Sequence, residues 1–422
     1  MNSFFRKNTE LLAPAGSFES LMAAIQGHAD AVYFGIGRLN MRSRSAFNFT
    51  LNDLPQIIDI CRAHHIKAYL TLNTVLYDDD LEEMKTMIDA AHEAGVDALV
   101  LSDQAALLYA HQKNMEIHLS TQVNISNYEA LKFYASYADV VVLARELSLP
   151  QIKNIALRIR QDRLCGPSGQ PIRIEVFAHG ALCMAISGKC YLSLHEYNHS
   201  ANRGECLQLC RRSYTVTDNE TNTQLVIDNE YIMSPKDLCT IGFLDRLLDA
   251  GIQILKIEGR ARPPEYVKTV CECYHQALCA IEEGKYTPQL VEQLTKKLST
   301  VFNRGFWGGY YLGRKLGEWS HTYGSQATRR KTYLGKVLNY YSKLQVGEFL
   351  LETGTLATGD HILITGPSTG VIELTIEEIH NENKEPVSMV TKGQRFAIKT
   401  GQQVRRSDKL FRVDEVPPSS MD

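Results

Sequence analysis

Five of the ten cysteines in this 422-residue chain, Cys183, Cys190, Cys206, Cys210 and Cys239, fall between positions 183 and 239. Soft thiolates converging from separated segments hold zinc or an iron–sulfur cluster, and four suffice for either. Their spacing is neither the C-x2-C pair of a zinc ribbon nor the C-x2-C-x2-C run of a bacterial ferredoxin, which favours a site assembled by the fold. Free cysteine is also among the most buried residue types. Ligation is the stronger reading for Cys183 and Cys190, seven residues apart in a glycine-containing loop, and core packing for Cys165, Cys271, Cys273 and Cys279. The same segment carries His195-Glu196-Tyr197-Asn198-His199, the H-E-x-x-H pattern of zinc proteases. That chemistry needs both histidines on one face of a regular helix, and Ser193, Asn198, Ser200, Asn202 and Gly204 crowd the segment with turn formers, so coincidence is the better account.

These residues need a scaffold. From Glu10 to Arg260 short apolar runs alternate with amphipathic helical stretches, the pattern of parallel strands joined by crossover helices. Eight strands are predicted: ELLAP from Glu10, AVYFGI from Ala31, KAYLTLN from Lys67, ALVLSD from Ala98, EIHLSTQ from Glu116, DVVVLAR from Asp139, RIEVFAHG from Arg173 and QILKIEGR from Gln253. Eight such units fit a closed (β/α)8 TIM-like barrel, an α/β fold. Asp78, Asp79 and Asp80 start a helix that Gly95 ends, with Leu81, Met84, Met87, Ile88 and Ala91 on one face. Leu54, Ile57, Ile58 and Cys61 share a face of another, where Cys61 fills core. Domain boundaries follow: 1–300 a barrel with a cysteine-rich insertion at about 181–252, 301–331 a packed linker, and 332–422 a small antiparallel β-barrel, signalled by alternating strands and turns such as Gly359-Asp360.

Barrel chemistry occurs at the C-terminal strand ends. That rule nominates Asn73, Asp103, Gln122, Asn124, Arg145, Glu146, His179, Glu258 and Arg260. Each could equally cap a loop, so the set carries more weight than its members.

With 44% hydrophobic and 22% charged residues and a net charge of −3, the chain is neither disordered nor fibrous, and no global basic field announces nucleic acid. The start, MNSFFRKNTELLAPAG, has too short an apolar stretch for a signal peptide, and no window reaches membrane length. A cytoplasmic location without membrane contact is expected. There is no GxxxxGK[ST] phosphate loop, no GxSxG elbow and no C-x3-C-x2-C radical triad.

ELLAPAGSFESLMAAIQGHADAVYFGIG, MRSRSAFNFT from Met41, EVFAHGALCMAISGKCYLS from Glu175, NRGECLQLCR from Asn202 and LKIEGRARPPEYV from Leu255 resemble the collagenase-like peptidase family of unclassified catalytic type, and within it the tRNA hydroxylation branch. The resemblance implies a 4Fe-4S cluster held by Cys183, Cys190, Cys206 and Cys239, with Cys210 able to replace Cys239 as in relatives that hydroxylate the ubiquinone ring. It implies oxygen-independent hydroxylation of wobble uridine to 5-hydroxyuridine, with prephenate as hydroxyl donor and the tRNA anticodon loop as partner. A related partner chain is a further expectation, as some relatives need one. A peptidase, or a non-enzymatic tRNA-binding or assembly protein with a structural cluster, are the alternatives. Arg42, Arg145, Glu258 and Arg260 are the expected catalytic residues, and Arg44 and Arg262 join them as guanidiniums able to grip two carboxylates. Tyr33, Phe34 and Phe47 are available to stack an unpaired base, though Phe34 reads as core. Arg329, Arg330 and Lys331 with Tyr333 offer a contact to the RNA backbone.

Overall fold

The computed structural model describes residues 9–44, 48–221, 224–225, 233–313, 318–320 and 324–416. All eight predicted strands form: β1 (Glu10–Pro14), β2 (Ala31–Gly35), β3 (Lys67–Leu72), β4 (Ala98–Leu101), β5 (Ile117–Leu119), β6 (Val140–Val142), β7 (Arg173–Gly180) and, further along the chain, β9 (Ile254–Ile257). Each pairs in parallel with the next, and β9 pairs with both β7 (Ile254 with Glu175) and β1 (Leu11 with Leu255), so the barrel closes.

Alternation along these strands sends successive side chains to opposite faces. Leu12, Ala31, Tyr33, Tyr69, Ala98, Val100, Val140 and Ile254 form a cluster of their own, whereas Leu11, Val32, Phe34, Leu70 and Leu99 pack with the helices. Burial on both faces is why the strands read as near-continuous apolar runs. The aspartate-led helix forms over Leu81–Ala94, burying Met84, Met87, Ile88 and Ala91 and ending on Gly95 at φ 75°. A second runs over Leu54–Ala63 with Cys61 in its buried face.

The insertion after β7 contains a strand that the sequence did not show. β8 (Asp237–Cys239) pairs antiparallel to the end of β7, Leu238 with Gly180 and Cys239 with His179. The expected linker supplies Phe306–Trp307, which pairs parallel to β8. The C-terminal unit begins within that linker, at strand Arg329–Tyr341, and is antiparallel throughout: eight strands pair in one sheet and Thr355–Ala357 with Met389–Thr391 in a ribbon, all around one apolar cluster. It packs on two barrel helices, Phe18–Gln26 and Pro264–Glu282. Gln26 bonds the backbone of Thr369 and Val371, and Lys268 Nζ donates to the Val371 carbonyl.

Candidate functional site

The C-terminal strand ends and the insertion enclose a cavity of about 400 Å³. Arg42, Arg145, Glu258 and Arg260 all line it, as do Tyr33, Asn73, Gln122 and Arg262. Arg42 grips Glu258 through Nε at 3.0 Å and Nη2 at 2.5 Å. Burial pushes the Glu258 carboxyl up, but Arg42, Arg145 and Arg260 prevail and hold it down at about 2. Arg260, 5% exposed, donates to Asn40 Oδ1 at 3.0 Å and Thr71 Oγ1 at 3.1 Å. Arg145 lies over the Phe177 ring at 3.9 Å and donates through Nη1 to the Ala181 carbonyl, while its buried Nε has no partner. Gln122 Oε1 and Thr121 Oγ1, also in the lining, are likewise buried and unpartnered. Such groups cost about 1–3 kcal/mol each when left unpaired, so a polar ligand has donors and an acceptor waiting. With Lys256, Arg211 and Arg304 in the same wall, positive charge prevails there.

Cys183, Cys190, Cys206 and Cys210 line this cavity. Their thiols sense one another: burial pushes Cys210 up to about 11, Arg211 pulls it back, and Cys183, Cys206 and Cys190 add a smaller push. Cys206 also acts on Arg42, which ties the thiols to the charged floor. Cys239, expected to complete the set, is absent from that lining. It is 9% exposed on β8, and its thiol is pushed up to about 11 by burial, with Ile241 and Tyr274 as hydrogen-bonding neighbours. Cys210, not Cys239, stands with the other three. Among the described residues no three His, Cys, Asp or Glu side chains converge tightly enough for a single metal ion. A cubane cluster takes one thiolate at each of four irons, and Cys183, Cys190, Cys206 and Cys210 on one cavity wall supply that number and kind of donor.

Other candidates have different work. Asp103 caps the helix Gln104–Gln112, and Asn124 holds the cysteine loop by donating to the Ser187 carbonyl at 2.9 Å. Glu146 is exposed outside the cavity. His179 is 1% exposed among Tyr266, Tyr274 and Phe306, and burial alone pulls it down to about 3, so it is a neutral packing group. Arg44 is exposed against His199. Phe34 is core, and Phe47 lies outside the described residues. Arg329 pairs with Glu415 and Glu373, and Lys331 with Glu265, which neutralises much of the basic patch. The helix carrying His195 spans only Leu192–Tyr197 and ends on Asn198 at φ 54°. His199 lies beyond it and faces Glu205, and the two histidines share no helix face.

Lys256 was missed, although a charged residue centred in QILKI signals an inward-facing position in a barrel. Arg211 and Arg304 offered no pattern, since their places depend on contacts to Pro235 and Asp237 across the insertion.

The fold and the site together define a closed parallel barrel whose mouth is roofed by a cysteine-bearing insertion. The chain belongs to peptidase family U32, whose family model matches residues 16–321. It is 58% identical over 406 residues, 96% of this chain and 98% of the other, to a Porphyromonas gingivalis protein named collagenase. It is 31% identical over 386 residues, 89% of this chain and 88% of the other, to tRNA hydroxylation protein P1 of Bacillus subtilis. To the 23S rRNA 5-hydroxycytidine C2501 synthase of Escherichia coli it is 38% identical over 277 residues, 65% of this chain and 40% of the other.

Proposed function

We propose that this chain is an iron–sulfur enzyme that hydroxylates wobble uridine of tRNA at ring carbon five without oxygen, with prephenate as hydroxyl donor. The observation that carries the reading is the gathering of Cys183, Cys190, Cys206 and Cys210 on the same cavity as Arg42, Arg145, Glu258 and Arg260. Relatives named for hydroxylating tRNA or making 5-hydroxycytidine in rRNA support the substrate class. The four cavity thiols would hold the 4Fe-4S cluster, which when bound supplies redox and Lewis-acid chemistry. The chain's own residues then bind and orient. Arg145, with its free Nε, and Arg260 grip carboxylates of the donor. Glu258 fixes the Arg42 fork, Tyr33 forms part of the wall, and the insertion lines the mouth opposite them.

The collagenase name of a close relative keeps a peptidase as the second reading. The one local signal for it, His195 with His199, does not form a pair of ligands on one helix. Anaerobic purification with iron and sulfide analysis, alongside mass spectrometry of tRNA from a deletion strain, tests the choice. About four irons per chain are expected, lost in Cys210→Ala and kept in Cys239→Ala, with 5-hydroxyuridine restored only by the natural chain and Cys239→Ala. Iron-free protein that cleaves peptide while tRNA is unchanged overturns the reading.

A further inference from the structure

Strand Arg329–Tyr341 begins against the barrel, where Lys331 pairs with Glu265, and ends at an open groove of about 890 Å³ lined by the C-terminal unit alone. Arg395, on strand Arg395–Lys399, and Arg405 and Arg406, on the loop that follows it, line the groove against one carboxylate, Glu348. The fold fixes that loop. Val404 is 1% exposed and packs on Gly347, where a Cβ would come within 3.1 Å of its Cγ2. Arg405 N–H donates to Asp408 Oδ2 at 2.7 Å, Asp408 N–H donates to the Arg405 carbonyl at 3.0 Å, and Ser407 N–H donates to the Val337 carbonyl at 2.9 Å. The backbone is thus tied down on both sides of Arg405 and Arg406, while their side chains are exposed. In the wall formed by strand Arg329–Tyr341, a bulge at Leu338 interrupts the pairing between Val337–Phe349 and Asn339–Glu348.

These guanidiniums have little to neutralise them. Among the described residues neither Arg405 nor Arg406 makes a side-chain hydrogen bond or ion pair. Arg395 Nε lies 3.8 Å from Glu382 Oε1, and both side chains are more than half exposed, so solvent screens the pair. Glu348 Oε2 already accepts from the Tyr341 hydroxyl at 3.0 Å. Asp408 is buried and accepts from Thr369, with the Arg405 charge a lesser influence on it. The basic run at Arg329 and Lys331, by contrast, is paired. Asn339, Ser342 and Gln403 add amides and a hydroxyl to the groove, and the half-buried Tyr340 adds a ring. Arginine with serine, asparagine, glutamine and tyrosine is the set that holds phosphates and sugars of nucleic acid. One phosphate would occupy one guanidinium fork; three forks along a strand and the loop after it suit a chain of phosphates.

We propose that this groove docks the sugar–phosphate backbone of the RNA substrate, away from the mouth and without reading bases. From Lys331 to Tyr340 the strand spans at most about 30 Å. Glu265, where that span begins, follows Arg260 and Arg262 of the mouth in sequence. A ligand seated in the mouth therefore reaches the groove only by extending well beyond it, which a folded RNA does and a short loop does not. The docking rests on the proposed hydroxylation for the identity of the RNA as tRNA; the chemistry of the groove asks only for a phosphate backbone.

The test measures binding of full-length tRNA, and of its isolated anticodon stem-loop, to the full chain across a range of salt. Arg395→Ala, Arg405→Ala and Arg406→Ala combined should weaken tRNA binding at least tenfold at physiological salt and leave stem-loop binding unchanged. The slope of log affinity against log salt should fall by about 2–3, since each phosphate contact contributes about 0.7–0.9. Lys132→Ala, Lys153→Ala and Arg163→Ala combined remove the same charge from exposed positions of the barrel and should leave tRNA affinity within twofold. Unchanged affinity and slope in the groove variant, or an equal loss in the barrel variant, overturns the proposal. So does a natural chain without affinity for tRNA, whose groove would then fit an acidic protein. Groove-dependent tRNA binding by a chain that leaves uridine unmodified keeps the docking surface and sinks the hydroxylase. In an active chain the groove variant should raise KM for tRNA at least tenfold with kcat unchanged; an unaltered KM would refute the docking.

Discussion

Glu175 is held at about 2 although burial pushes it up, because Lys256 and His118 each stabilise its charge. Removing the cation leaves a fully buried carboxylate with one partner. Breaking a buried pair from one side costs about 3–5 kcal/mol, since the remaining charge stays desolvated. Lys256→Met should therefore lose about that much stability in urea denaturation. An unchanged midpoint and slope would contradict the pairing. The pH dependence follows from a depressed folded value. The contribution of Glu175 is complete above its unfolded value of about 4 and is lost as pH falls through about 2. The natural chain should thus lose stability across that interval more steeply than Lys256→Met, in which Glu175 has less depression to lose.

The insertion after β7 is an element held by few contacts, and those contacts are specific. Arg203 donates to Asp80 at 2.6 Å and lies over Tyr77 at 4.0 Å, and Val75 N–H donates to the Asn202 carbonyl at 3.2 Å. Asp80, led by the Arg203 hydrogen bond, is lowered to about 2. The docking it supports is complete above about 4 and fades toward about 2. Arg203→Ala should raise hydrogen exchange and protease cleavage across 183–210 at neutral pH, with β1 to β6 unchanged; equal protection in both chains would contradict the clamp. Gly204 has φ 86°, and a Cβ there would meet the Asn40 carbonyl oxygen at 2.2 Å. Gly204→Ala should loosen the same segment. The sequence made the eight barrel strands legible because each is buried on both faces. β8 was hidden because Asp237–Cys239 has no apolar run like those of β5 and β6, and its pairing to β7 is a long-range fact. The same limit separated Cys210 from Cys239: spacing along the chain does not report which thiol reaches the mouth. Arg42, Arg145, Glu258 and Arg260 were legible because strand ends converge by topology, whereas Glu175 and Lys256 lie in strand interiors, where inward charges look like interruptions.

At the scale of the molecule, the two domains share a core. Leu363 and Val371 of the C-terminal sheet belong to the barrel's apolar cluster, with Phe411 and Val413 packed on it, while the C-terminal unit keeps a second cluster of its own around Phe349 and Phe396. A joint of this kind transmits unfolding, because separating the domains exposes apolar surface on the helices Phe18–Gln26 and Pro264–Glu282 and frees the polar ties of Gln26 and Lys268. The expectation is one calorimetric transition for the whole chain. Leu363→Ala removes side-chain volume from the joint itself, where truncation of a buried leucine costs about 2–5 kcal/mol. The variant should lower the single transition as a whole. Two resolved peaks in the natural chain, or a Leu363→Ala chain in which only the C-terminal unit melts earlier, would show that the units fold independently and that the mouth is insulated from the domain behind it.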